Sequence, residues 1–227
     1  LVKLLLFDID GTLVHSGGAG LRAMTRAFTD LYAIPDALAG VSLSGRTDSS
    51  ILQDALAIFA LPHSPEIEEE YKQRYFELLA EEMPLPGAGK RLMPGIPALL
   101  EALSGRPDVH LGLLTGNWRT SGYLKLADFG LDRYFPFGAF ADDSGVRDQL
   151  LPFAVARFRD LSGLSPRPEE VYVIGDTPYD IQCARPHGAV AVAVAAAAHS
   201  RSHLAACNPD HLFTDLEDTE AALRVLG

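Results

Sequence analysis

Short apolar runs alternate with amphipathic stretches along most of this chain. Residues 3–9, 109–115 and 170–175 are rich in Val, Ile and Leu and stop abruptly at Asp, Thr, Asn or Gly, the pattern of strands buried on both faces of a parallel sheet. Between and after them, residues 96–103, 120–129, 151–161 and 178–185 carry helical periodicity. A further cycle runs through 189–194 and 211–213 to a helix beginning at 216. Strand and helix therefore take turns, and the expected fold class is α/β, a Rossmann-like parallel sheet with helices on its faces.

One segment breaks that rhythm. Residues 21–32, 49–59 and 67–83 read as helices with no buried strand among them, bounded by Ser16, Gly17 and Gly18 on one side and by Pro84, Pro86, Gly87 and Gly89 on the other. The pattern predicts a helical cap domain over 16–92, inserted into a core made of 1–15 and 93–227.

Composition narrows the function classes. The chain has 227 residues, a formal charge of −11 from 30 acidic and 19 basic residues, and 48% hydrophobic content. That charge disfavours nucleic acid and anionic lipid as partners. Two cysteines, Cys183 and Cys207, are too few for a disulfide framework, and a reduced, cytoplasmic setting is expected. The apolar run at 4–7 is too short for a signal-peptide core, and the alanine-rich 189–198 is too short to cross a bilayer as a helix.

The chemistry concentrates at the ends of the apolar runs, the edge of an open α/β sheet where ligands bind. Asp8, Ile9, Asp10, Gly11 and Thr12 follow the first run, and side-chain alternation lets the two carboxylates share a face. Thr115, Gly116 and Asn117 follow the second and open a helix, where backbone N–H groups can hold a phosphate oxygen; capping by Thr115 or Asn117 is the alternative. Asp176 and Asp180 follow the third. Three strand ends delivering polar groups to one edge point to a shared site.

With these motifs in place, the chain resembles the haloacid dehalogenase superfamily, in particular its phosphoglycolate-phosphatase-like branch. The resemblance implies that Asp8 is the nucleophile and Asp10 the general acid and then base. It also implies Mg²⁺ held by Asp8, the Asp10 carbonyl and Asp176, with Asp180 supporting the metal shell. Thr115, Gly116 and Asn117 become phosphate ligands, and the substrate is a small phosphomonoester.

The usual lysine between the second and last motifs is missing here. Lys125 lies in the helix after Thr115, so Arg147 is the expected substitute cation near the nucleophile and phosphate. Arg46, in the segment Ser44 to Asp48, is a candidate contact for a substrate carboxylate, against a plain helix start capped by Thr47 or Asp48. Other readings stay open. A phosphomutase of this superfamily is expected to carry a histidine near Gly20, whereas His15 reads as a solvated hinge residue. A phosphonatase needs a lysine in the cap, where only Lys72 and Lys90 occur, and a binding protein without turnover would not need the acidic triad. Trp118 reads as packing or as a substrate stack; His199, His203 and Cys207, spaced four apart, read as structural. Oligomeric state is not legible.

Overall fold

The computed structural model describes residues 2–197 and 199–227. Strand β1 (Lys3–Phe7) runs through the centre of a six-stranded sheet. Its last four residues are apolar and buried, and its two faces feed different cores. Leu4 and Leu6 join one cluster with Val173, Ile181 and Phe158; Leu5 and Phe7 join the other with Leu99, Leu113 and Phe135. A strand buried on both faces reads as an unbroken apolar run, as the sequence did.

The chain leaves β1, returns through the two-residue strands β2 (Val14–His15) and β3 (Arg91–Leu92), and then builds β4 (Val109–Leu114), β5 (Gly138–Ala139), β6 (Val171–Gly175), β7 (Val190–Val194) and β8 (His211–Phe213). The order in the main sheet is β5-β4-β1-β6-β7-β8, with every pairing parallel. β1 is thus flanked by β4 and β6, the position where connections depart to opposite sides. The loops that follow these three strands face one another at the carboxyl edge.

Helices α1 (Ala19–Tyr32), α2 (Asp48–Ile58) and α3 (Pro65–Glu82) form the insert; α4 (Ile96–Ser104), α5 (Arg119–Asp128), α6 (Leu151–Ser162), α7 (Pro178–Ala184), α8 (Arg201–Ala206) and α9 (Thr219–Leu226) cover the sheet. The insert buries its own apolar cluster, including Ala23, Phe28, Leu52, Leu56, Tyr71 and Leu78. At its base β2 and β3 pair antiparallel, Val14 with Leu92 and His15 with Arg91. The capping expectation before α2 resolves on Thr47, whose Oγ1 accepts the Ser50 N–H at 3.2 Å, and Ser64 does the same for Ile67 at the start of α3; α5 has no side-chain cap.

Two expectations need correction. The first strand ends at Phe7, so Asp8 and Asp10 sit in the loop beyond it and not on alternating strand positions. The last helix starts at Thr219, not 216. β5 and the β2–β3 ribbon carry no pattern of their own, because two residues hold no period. Trp118 is fully buried and packs into the insert, its ring 5.8 to 6.2 Å from those of Tyr75, Phe76 and Tyr71. It is a docking pin between sheet and insert, so Trp118→Ala is expected to cost about 3–5 kcal/mol, read from urea unfolding followed by circular dichroism. Among the described residues, no helix is long and apolar enough to cross a membrane.

Candidate active site

Asp8 stands at the tip of β1, its N–H held by the Ile174 carbonyl at 2.9 Å. The turn that follows depends on Gly11, whose φ of 83° suits glycine and whose missing Cβ would lie 2.4 Å from Asp176 Oδ2. This close approach brings the first and last motifs together. One carboxylate oxygen each from Asp8, Asp176 and Asp180 falls within 4.8 Å of the others, and all three residues are buried.

Arg147 enters this cluster from the loop before α6. Its Nη2 lies 3.0 Å from Asp8 Oδ1 and 2.5 Å from Asp180 Oδ1, while its Nε has no partner among the described residues. Asp180 also accepts from the Thr177 N–H and hydroxyl, at 3.0 and 2.8 Å, in a capping box at the start of α7. It therefore orients Arg147 and the Asp176 loop as well as adding charge.

The phosphate-loop candidates lie opposite. Asn117 Nδ2 donates to Thr115 Oγ1 at 2.8 Å and to Asp10 Oδ2 at 2.9 Å. A Cβ on Gly116 would lie 2.1 Å from the Arg46 carbonyl oxygen, so only glycine lets the insert approach this loop. The insert crosses here: the Asp48 N–H donates to the Gly116 carbonyl at 2.7 Å, and Asp48 Oδ2 accepts from the Trp118 N–H at 2.9 Å and the Ser121 hydroxyl at 3.0 Å. Together these segments enclose a cavity of about 580 Å³ lined by Asp8, Asp10, Thr115, Lys125, Arg147 and Asp176, among others.

Two residues in this arrangement escaped the sequence reading. Lys125, set aside as a helix lysine, is buried, with its Nζ 2.6 Å from both Asp10 Oδ2 and Asn117 Oδ1. The signal was available: Ser121, Gly122, Lys125 and Leu126 form the buried stripe of α5, and a cation on such a stripe requires a partner. Asp48, weighed only as a helix cap, reaches instead into the loop before α5.

Other candidates go elsewhere. Arg46 lines the cavity, and its Nη1 pairs with Asp54 at 2.5 Å while its Nε lies 3.3 Å from Ser50 Oγ, so its charge is matched by the helix that follows it. His15 is half-buried at the cavity wall, its Nδ1 accepting the Gly17 N–H at 3.2 Å, and is not the solvated residue expected. Lys72 pairs with Asp142 and lies over the Trp118 ring; Lys90 pairs with Asp128. The His199 and His203 rings are 5.0 Å apart, and Cys207 donates to the His203 carbonyl.

A family model for haloacid dehalogenase-like hydrolases matches residues 5–185. The chain belongs to that family. This haloacid dehalogenase-like hydrolase is 28% identical over 216 residues to a phosphoglycolate phosphatase of Rhodospirillum rubrum, covering 94% of the chain and 87% of that protein. It is 24% identical to the pyrophosphatase PpaX of Bacillus mycoides, over 96% of the chain and 94% of the relative. Its fold matches a crystal structure described as a predicted phosphoglycolate phosphatase from Haemophilus somnus, with a TM-score of 0.69, 22% identity and 98% of each chain covered.

Electrostatics explains what this hydrolase edge demands. Burial pushes Asp176 up to about 8, with further upward pressure from Asp8 and Asp180 and only partial relief from Arg147. Burial likewise raises Asp8 to about 6, against the pull of Arg147. Asp10 goes the other way: burial would raise it, but the Lys125 charge and the bonds from Lys125 and Asn117 hold it below its ordinary value. Crowded, buried, all-oxygen carboxylates with too little positive charge fit a hard divalent cation such as Mg²⁺.

Asp8 and Asp176 have an ordinary value of 3.8 in the unfolded chain and titrate at about 6 and about 8 when folded without metal. Between those limits the folded state binds more protons, so their contribution to stability is present at low pH and lost as pH rises toward about 8. A divalent ion requires the ionised forms and reverses that loss. Saturating Mg²⁺, at about 100 times its Kd, is expected to stabilise by about 2.7 kcal/mol. Scanning calorimetry is expected to show a larger Mg²⁺-induced rise in Tm near pH 8 than near pH 5.

Proposed function

We propose that this chain is a Mg²⁺-dependent phosphatase that hydrolyses a small phosphomonoester through a phosphoryl group carried on Asp8, with residues 16–92 acting as a cap domain over a core of 1–15 and 93–227. The observation that carries this reading is the placement of Asp8 at the centre of the carboxyl edge, 3.0 Å from the Arg147 guanidinium and facing the Thr115 to Asn117 loop across the cavity.

An Asp8 oxygen attacks phosphorus as the bond to the leaving oxygen breaks. The electron pair departs with that oxygen, which takes a proton from Asp10; Lys125 and Asn117 hold Asp10 ionised before substrate binds, and it takes up that proton from water when the phosphate dianion arrives beside it. Water then attacks the phosphoryl group, gives its proton to Asp10, and releases phosphate and the Asp8 carboxylate. Arg147 draws Asp8 into its ionised form, and its Nη1 lies beside Gly116, 3.0 Å from the position a Cβ would take, where it can meet a phosphate oxygen. Thr115 Oγ1 and the Gly116 and Asn117 amides hold the remaining oxygens at the start of α5. Mg²⁺, held by Asp8, Asp176 and the Asp10 carbonyl, would offset the repulsion between the carboxylate and the incoming dianion. The insert closing over the loop excludes stray water from the phosphorylated residue.

Phosphoglycolate is the first substrate to test, through the Rhodospirillum rubrum relative, and inorganic pyrophosphate the second, through the Bacillus mycoides one. The mutase reading expects a histidine near Gly20, where instead the Lys125 Nζ lies 3.4 Å from the position a Cβ would take. The testing experiment is phosphate release from an aryl phosphate and a panel of metabolite phosphates, with and without a chelator. Release that needs Mg²⁺ supports the proposal; metal-independent release, or interconversion of sugar phosphates without net release, contradicts it.

A further inference from the structure

Lys125 takes part in a closed ring of hydrogen bonds that the reaction scheme above does not use. Its Nζ donates to Asp10 Oδ2 and to Asn117 Oδ1, each at 2.6 Å. Asn117 Nδ2 in turn donates to the same Asp10 Oδ2 at 2.9 Å and to Thr115 Oγ1 at 2.8 Å. The Lys125 side chain is only 7% exposed, whereas that of Asp10 is 43% exposed toward the cavity. An ammonium buried to this degree persists only where acceptors meet it, and these two meet it from different motifs.

The consequence concerns the two oxygens of Asp10. Oδ2 accepts from two donors, while Oδ1 accepts none among the described residues. A carboxyl group anchored through one oxygen has its plane set, and the other oxygen is left for the cavity. We propose that Lys125 is a positioning residue: with Asn117 it anchors Asp10 Oδ2 to the phosphate loop and reserves Oδ1 as the atom that exchanges the proton with the leaving oxygen. This rests on the assignment of Asp10 as proton carrier. The proton leaves Oδ1 as the phosphorus–oxygen bond breaks, and Lys125 keeps all its own protons. Because Asn117 also holds Thr115, the phosphate loop and the acid are tied together, and a misplacement of about 1 Å at either is enough to cost rate.

The test compares two esters that differ in their need for a proton. An alkyl phosphate has a basic leaving group and needs the acid; a dinitrophenyl phosphate departs without one. With saturating Mg²⁺, Lys125→Met is expected to lower kcat/KM on the alkyl ester on the order of 100-fold, and on the dinitrophenyl ester by a few-fold at most. Asp10→Ala is expected to show the same selectivity, and adding Lys125→Met to it is expected to cost nothing further. Equal losses on the two esters in Lys125→Met, or losses that multiply in the double variant, overturn the proposal. Should the Met variant not fold, Lys125→Gln, which keeps an N–H donor, carries the same comparison with a smaller but equally selective loss. Asp10→Ala separates the two levels: equal losses there overturn the proton-carrier assignment itself, whereas selective losses in Asp10→Ala without them in Lys125→Met overturn only the role of Lys125.

Discussion

Asp8→Asn is expected to lower phosphate release from an aryl phosphate by a factor on the order of 10⁴ or more, because a covalent nucleophile has no substitute within the cavity. The fold is expected to survive. Asp8 belongs to a crowded carboxylate cluster whose burial and mutual repulsion raise its own pKa to about 6, so removing its charge relieves strain on Asp176 and Asp180. Arg147 keeps its bond to Asp180. The variant should therefore unfold near pH 8 at a temperature no lower than the parent when metal is absent. Its response to Mg²⁺ should shrink, because one oxygen of the cluster no longer carries charge. Retained turnover in a folded Asp8→Asn protein contradicts the covalent scheme.

Arg147→Met is expected to be the most destabilising change in the site. The Arg147 side chain is 5% exposed, between Asp8 at 7% and Asp180 at 2%, and its loss leaves two buried carboxylates without their shared partner. Breaking a buried ion pair from one side costs about 3–5 kcal/mol, more than the pair itself contributes. Urea unfolding of the metal-free protein near pH 8 reads this directly. Saturating Mg²⁺ should return part of the loss by supplying charge to the same cluster, and lowering the pH should return part by protonating it. Arg147→Lys should fall between the parent and Arg147→Met, since an ammonium keeps the charge but sits on a differently shaped side chain from the guanidinium whose Nη2 touches both Asp8 and Asp180. An unchanged unfolding midpoint in Arg147→Met contradicts the electrostatic account.

The sheet was legible because burial on both faces leaves a mark that needs no tertiary knowledge. Leu4, Leu5, Leu6 and Phe7 are all apolar since each faces one of two cores. The abrupt change to Asp8 places the nucleophile candidate at the strand end with equal clarity. β5 was not legible: Gly138 and Ala139 pair with Leu113 and Leu114 because β4 offers them an edge, not because of any propensity of their own.

Among site residues, Arg147 was reached through the resemblance, whose usual lysine is missing here, and the structure sets its Nη2 3.0 Å from Asp8 Oδ1. Lys125 was lost because a lysine in a helix is ordinarily solvated, and only the position of Asn117 and Asp10 around it gives it partners. Asp48 was lost because Asp at a helix start is an ordinary cap; here Thr47 caps, freeing Asp48 to hold the Trp118 N–H across the interface. Arg46 lines the cavity as its sequence position suggested, while its pairing with Asp54 was not legible there.

The phosphoryl group is expected to be transferred twice, first to Asp8 and then to water. Each in-line displacement inverts the configuration at phosphorus. Hydrolysis of an oxygen-isotope-chiral thiophosphate ester in isotopic water reports the sum of the steps without requiring the intermediate to accumulate. Two transfers predict net retention of configuration; net inversion, the signature of a single attack by water, contradicts the account.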